Sequence, residues 1–112
     1  MTIAAVKKAN ANVYPPMATV ATVLGSITRW LMLRIMTDGE AYGSSDLASM
    51  IGINASAAYQ HMAVLREAGI VEPYRGRLYR ITRAYLPEPG KPLVDLGHCL
   101  LRLDVQPAAP PA

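Results

Sequence analysis

Cysteine is nearly absent: the 112 residues contain one, Cys99. A single thiol excludes an intramolecular disulfide and fits a reducing cytoplasm. Long apolar runs are missing as well. Although 52% of the residues are hydrophobic, no stretch approaches the roughly 18 consecutive apolar residues of a membrane span. Lys7 and Lys8 are not followed by the long apolar core of a signal peptide. Histidine is scarce, with two in the chain. Two histidines, one cysteine and scattered acids offer no nucleophile–base pairing, so neither an enzyme nor a bound cofactor is expected. Acids are thin in one place above all. Glu72 is the only one between Ile70 and Tyr85, where Arg75, Arg77, Arg80 and Arg83 crowd together. The net charge of +3 and pI of about 9.2 permit nucleic-acid binding without demanding it. The length suits one domain, small enough to gain from dimerising.

What is present centres on Ser44 to Gly69, SSDLASMIGINASAAYQHMAVLREAG. The pattern predicts two helices joined by a short turn. Ser45 is the expected N-cap of the first, with Leu47 and Ile51 on one side and Gly52 closing it. Ile53 plugs the turn and Asn54 caps the second helix. There Ala58, Met62 and Leu65 fall at i, i+4, i+7 as a buried stripe, opposite Ala55, Ser56, Tyr59, Gln60 and Ala63. A face this small and polar near its start is what a helix in a DNA major groove requires. It can equally pack against another helix. The sequel favours DNA: Gly69-Ile70-Val71 opens a strand, and YRGRLYRIT reads as a tight hairpin with its tip at Arg75-Gly76. Tyr79 and Ile81 alternate onto one face, Leu78, Arg80 and Thr82 onto the other. Helix-turn-helix followed by a basic hairpin is the winged-helix order.

Three stretches, LGSITRWLMLRIMTDGE, SSDLASMIGINASAAYQHMAVLREAGIVE and GRLYRIT, resemble the ArsR-type family of winged-helix transcriptional regulators. The most specific pieces are Thr28-Arg29, Asp46-Leu47-Ala48 and the run from His61 to Val71. The resemblance covers roughly residues 24 to 82. It implies a dimeric DNA-binding transcription factor, usually a repressor. It also implies a histidine at the position of His61, which either donates to a phosphate or fills the helix–hairpin junction. The family's best-known sensors bind metal through paired cysteines at the start of the first motif helix. Tyr42 to Asp46 contains none, so that metal site is absent.

The domain layout expected is mainly α with a small β-hairpin, an α+β winged helix-turn-helix. Residues 1–16 form a flexible arm and 17–86 the DNA-binding domain. Residues 87–92 form a proline-rich linker, 93–104 a dimerisation segment and 105–112 a disordered tail. Within the domain a short helix spans Met17 to Leu24, with Val20, Val23 and Leu24 as its apolar stripe. Ser26 caps a longer helix to about Thr37, apolar on most sides and therefore central. Its Trp30 is read as core or dimer interface. Leu93, Leu96, Leu100 and Leu103 recur at three and four, as in a helix with a leucine seam. Alternation equally permits a strand with Val94, Leu96, His98 and Leu100 on one side. Either way five leucines need cover, and a partner subunit is the expected source. On a helix, Asp95 and His98 would share a face, but one such pair per chain is an incomplete tetrahedral site, so no metal is expected. Cys99, among leucines, is read as structural, although a single exposed thiol of lowered pKa would make a redox-responsive repressor.

The expected function is a sequence-specific regulator of operator DNA, a homodimeric repressor without membrane attachment. Ser44 and Ser45 hold phosphate at a helix start. Asn54, Ala55, Ser56, Ala57, Tyr59, Gln60 and His61 line the DNA side, with Gln60 suited to a bidentate adenine contact. Arg75 and Arg77 reach phosphates or the minor groove. The alternative is a charged hairpin edge on a protein–protein assembly module with no DNA function. The second motif helix favours that alternative in one respect: it has no lysine, and its two charges, Arg66 and Glu67, cancel.

Overall fold

The computed structural model describes residues 14–104. Four helices come first: α1 (Met17–Val23), α2 (Ile27–Met36), α3 (Ser44–Ile51) and α4 (Ala55–Glu67). A hairpin follows, β1 (Val71–Pro73) with β2 (Tyr79–Ile81), then a 3-10 turn (Arg83–Tyr85). A second hairpin, β3 (Leu93–Asp95) with β4 (Leu100–Arg102), ends the described chain. No helix among the described residues is long and apolar enough to cross a membrane.

The caps explain the boundaries. The Ser26 hydroxyl accepts from the Arg29 N–H at 3.3 Å, opening α2 as its sequence suggests. The Asn54 side chain accepts from the Ala57 N–H at 2.7 Å and opens α4. At α3 the expectation shifts by two residues. Gly43, not Ser45, is the cap, and the Asp46 carboxylate reaches back to the Gly43 N–H at 3.1 Å. A carboxylate in the first turn both satisfies an orphan N–H and faces the positive helix end, which the serine hydroxyl cannot do as well. Gly52 ends α3 in the left-handed conformation. Gly69, at φ +77°, ends α4 in a Schellman arrangement: its N–H bonds the Arg66 carbonyl, and the Ile70 N–H bonds the Leu65 carbonyl. That turn drops Ile70 and Val71 into the core and launches the first hairpin.

The core runs through the whole described chain. Met32, Leu33 and Met36 of α2 meet Leu47 of α3 and Met62 and Leu65 of α4, with Ile70 and Ile81 below them. α2 is thus central, but not apolar-buried on every side. Ile27 and Leu31 stay 69% and 38% exposed. Trp30 is half-buried and donates its indole N–H to the Leu24 carbonyl at 2.8 Å, tying α2 to the end of α1.

The segment 93–104 is neither a leucine-seamed helix nor one strand. Val94 pairs with Leu101 across an antiparallel ladder, and the turn between the strands holds Gly97 at φ +84°. The Asp95 carboxylate accepts the Gly97 N–H at 2.9 Å, and the Leu96 N–H bonds the Cys99 carbonyl. A helix would have placed a glycine at its centre at a cost of about 1 kcal/mol, whereas the turn uses it. Leu96, Leu101 and Leu103 are buried in the chain's own core, leaving Leu100 exposed. A partner subunit is therefore not needed to cover most of this segment. Of the expected N-terminal arm, Tyr14 stacks on Tyr85 with ring centroids 5.8 Å apart, and Pro15 is buried. Residues 1–13 of the arm and the tail from residue 105 lie outside the described residues.

Candidate nucleic-acid interface

The start of α3, the outer side of α4 and the strand β2 enclose an open groove of about 890 Å³. Ser44 and Ser45 are the first two residues of α3, so their backbone N–H groups are among those a helix leaves without internal partners. Ala55, Ser56 and Tyr59 line the groove from α4, and Arg77 lines it from the wing. The wing's tip turns at Gly76, whose φ is +55°, and both Arg75 and Arg77 are exposed. Six of the sequence-expected residues are thus gathered around one concavity.

The others sit differently. Gln60 is exposed on α4 beside the groove, and Asn54 spends its side-chain oxygen on the cap. Ala57 is half-buried and its N–H belongs to that same cap. Arg75 lies over the Tyr74 ring at 5.4 Å, as Arg80 does at 4.7 Å. Arg80 is also ion-paired to Glu72 at 3.0 Å, so it braces the hairpin. His61, expected either to donate to a phosphate or to fill the helix–hairpin junction, is turned to α2. It stands three residues after Ala58 and four before Leu65, both buried, which places it at the margin of the core side. Its Nδ1 lies 3.0 Å from an Arg29 guanidinium nitrogen. Desolvation, then the Arg29 charge, holds its pKa below the usual value, so the neutral ring accepts from Arg29.

Arg29 is a residue whose role the sequence does not disclose. It donates to the Val23 carbonyl at 2.8 Å and to the Thr22 carbonyl at 3.0 Å, capping α1, while reaching His61 on α4. One guanidinium thus joins three helices; its five fixed donors allow this. Arg66 and Tyr79 are also groove-lining and were missed. Arg66 donates to the Tyr79 hydroxyl at 3.4 Å, and that contact pushes its pKa further up. Glu67, one position on, does not line the groove. The two charges point to different places and do not cancel there, because successive helical residues are about 100° apart.

Tyr42, just before α3, exchanges both backbone bonds with Tyr79, at 2.8 and 2.9 Å. This adds a third line of pairing to the wing and fixes it against the helix-turn-helix. The Tyr42 phenol donates to the Asp38 carboxylate, and this bond, followed by burial, pushes its pKa up to about 12. In the second hairpin, Asp95 is committed to its turn and His98 is exposed. No group of three or more histidine, cysteine or acidic residues able to hold a metal ion occurs among the described residues. The Cys99 thiol is half-buried, and desolvation, with Asp95 nearby, pushes its pKa up.

A helix-turn-helix whose second helix borders an open cationic groove, with a hairpin docked at its edge, defines a winged helix-turn-helix regulator of the DNA-binding kind. The family model for bacterial regulatory proteins of the arsR family matches residues 26–73. The crystal structure of the transcriptional repressor BigR from Xylella fastidiosa is similar at a TM-score of 0.52 and 30% sequence identity, over 75% of this chain and 84% of that one. No curated protein matches. The chain belongs to the arsR family of bacterial regulatory proteins.

Proposed function

We propose that the protein is a homodimeric repressor that binds a two-fold symmetric operator. The start of α4 enters the major groove, where Ala55, Ser56, Tyr59 and Gln60 meet base edges and the thymine methyl. Arg75 and Arg77 of the wing neutralise backbone phosphates, and the start of α3 receives one at Ser44 and Ser45. The observation that carries this reading is the groove itself: helix start, second motif helix and wing arginine converge on one open concavity. BigR, named as a transcriptional repressor, supports the repressor role. The apolar groups left exposed on α1 and α2, Met17, Ile27 and Leu31, supply a face for a second copy. The experiment is selection of bound sequences from random duplex DNA, with sedimentation at micromolar concentration beside it. A symmetric winning site and twice the monomer mass are expected. A clean monomer that still binds DNA would exclude the symmetric-operator reading.

An assembly module without DNA function is the competing reading, favoured by Met50 and Tyr59, which leave large apolar surface exposed on the motif itself. Salt separates the two. Neutralised phosphates make affinity fall steeply with salt, and an assembly module has no such dependence on duplex DNA.

A further inference from the structure

α4 is longer than the width of a DNA major groove. Arg66 stands eleven residues beyond Ala55, which is about 16 Å along the helix axis, while the groove is about 12 Å across. If the first turns of α4 read base edges, its last turn lies over the flanking backbone. Ala55, Tyr59 and Arg66 follow one another at i, i+4 and i+11, along one stripe of the helix, and all three line the groove. The guanidinium is exposed and belongs to no ion pair among the described residues. The acid that lines the same groove, Asp46, has a carboxylate oxygen committed to the Gly43 N–H.

What distinguishes Arg66 from an ordinary surface arginine is its post. Tyr79 stands opposite Pro73 in the ladder on one side of β2 and exchanges both backbone bonds with Tyr42 on the other. Its backbone is therefore set by three segments, and the hydroxyl of its half-buried side chain accepts from one Arg66 nitrogen. A guanidinium has five donors in a planar fork, so most of them remain to meet a phosphate. An arginine whose orientation is set beforehand loses less rotamer freedom when it binds.

We propose that Arg66 is a DNA backbone-phosphate contact at the far end of the recognition helix and that the Tyr79 hydroxyl is the group that positions it. This rests on reading the groove as a DNA interface. The wing then acts twice, through Arg77 directly and through Tyr79 by way of the helix.

The test is a double-variant cycle, Arg66→Gln, Tyr79→Phe and the two together, titrated against the best selected operator and a scrambled duplex over a range of salt. Arg66→Gln should weaken both duplexes roughly five- to tenfold at 0.1 M salt and lower the salt slope by about one. Tyr79→Phe should reproduce part of that loss and add nothing in the Arg66→Gln background. Arg66→Lys should restore the slope, since the cation remains. Thermal unfolding is read alongside, and Arg66→Gln should melt with the original protein. An original chain that binds neither duplex overturns both the groove reading and this inference. Salt-dependent binding with an unchanged slope in Arg66→Gln overturns this inference alone. Additive losses in the double variant remove Tyr79 as the positioning residue.

Discussion

The wing, β1–β2, and the C-terminal hairpin, β3–β4, share their construction: three residues pair with three in an antiparallel ladder, and each turn holds a glycine at positive φ. They differ in what they do with it. The wing buries Val71 and Ile81 and sends residues 74–78 outward with two exposed arginines. The C-terminal hairpin buries Val94, Leu96, Leu101 and Leu103 and keeps a turn of residues 96–99. Backbone geometry is thus neutral about role. Side chains at the buried ladder positions decide how far each hairpin sinks into the core, and the longer loop gives the wing room to display charge.

Leu96→Ala should produce the largest effect and break the comparison on the side of stability. The residue is fully buried, so truncation should cost about 2–5 kcal/mol, read as a fall in the denaturant midpoint. Any loss of DNA binding should follow the unfolded fraction. Full stability in this variant would show that the second hairpin is not part of the core.

Gln60→Ala comes next and acts through specificity. It should cost roughly 1–3 kcal/mol at one base position and relax choice there. Equal weakening of operator and scrambled duplex would remove Gln60 as a base reader. Arg77→Ala sharpens the contrast from the wing: melting unchanged, all duplexes weakened alike, and a salt slope lower by about one. An unaltered slope would leave the wing arginines as a charged edge.

Cys99→Ser is a smaller perturbation in the second hairpin. A half-buried thiol whose pKa is raised is a poor thiolate. The expected change is about 1 kcal/mol of stability or less, with peroxide leaving DNA bound in both proteins. Release from the original but not from the variant would establish redox sensing.

The smallest effect concerns Tyr42, the extra pairing partner that only the wing has. Subtracting the ultraviolet titration of Tyr42→Phe from that of the original should reveal a phenol titrating near 12. Asp38→Asn should bring it down toward about 10. The sign follows from the raised folded value. Stability from the neutral phenol is complete below about pH 10 and is lost as pH rises toward 12. The Tyr42–Asp38 bond lies in solvent, so the loss is slight. A phenol titrating near 10 in the original would show that the Asp38 bond does not form.

Much of this was legible because it is local. Ser26 and Asn54 act as caps through bonds to residues three positions away. The stripe Ala58, Met62, Leu65 needs only the period of a helix, and the glycine at the wing tip only the sign of φ. Gly43 was less legible, because the cap there works through the Asp46 carboxylate reaching back rather than through a serine hydroxyl. His61 and Arg29 were illegible as a pair, being 32 residues apart.

The sequence by itself determined the helix order, the motif and the arginine-bearing hairpin, because periodicity, capping and turn chemistry act within a few residues. Tertiary structure alone decided between helix and hairpin at Leu93–Asp104, since leucines at three and four and alternating apolar residues were both present. The packed arrangement sinks Val94, Leu96, Leu101 and Leu103 together while spending Gly97 on a turn. It also set the side on which each charge lies: Arg66 in the groove, Glu67 outside it, His61 against Arg29. A local pattern states that a face is polar; only the docking of wing and helices states what that face looks onto.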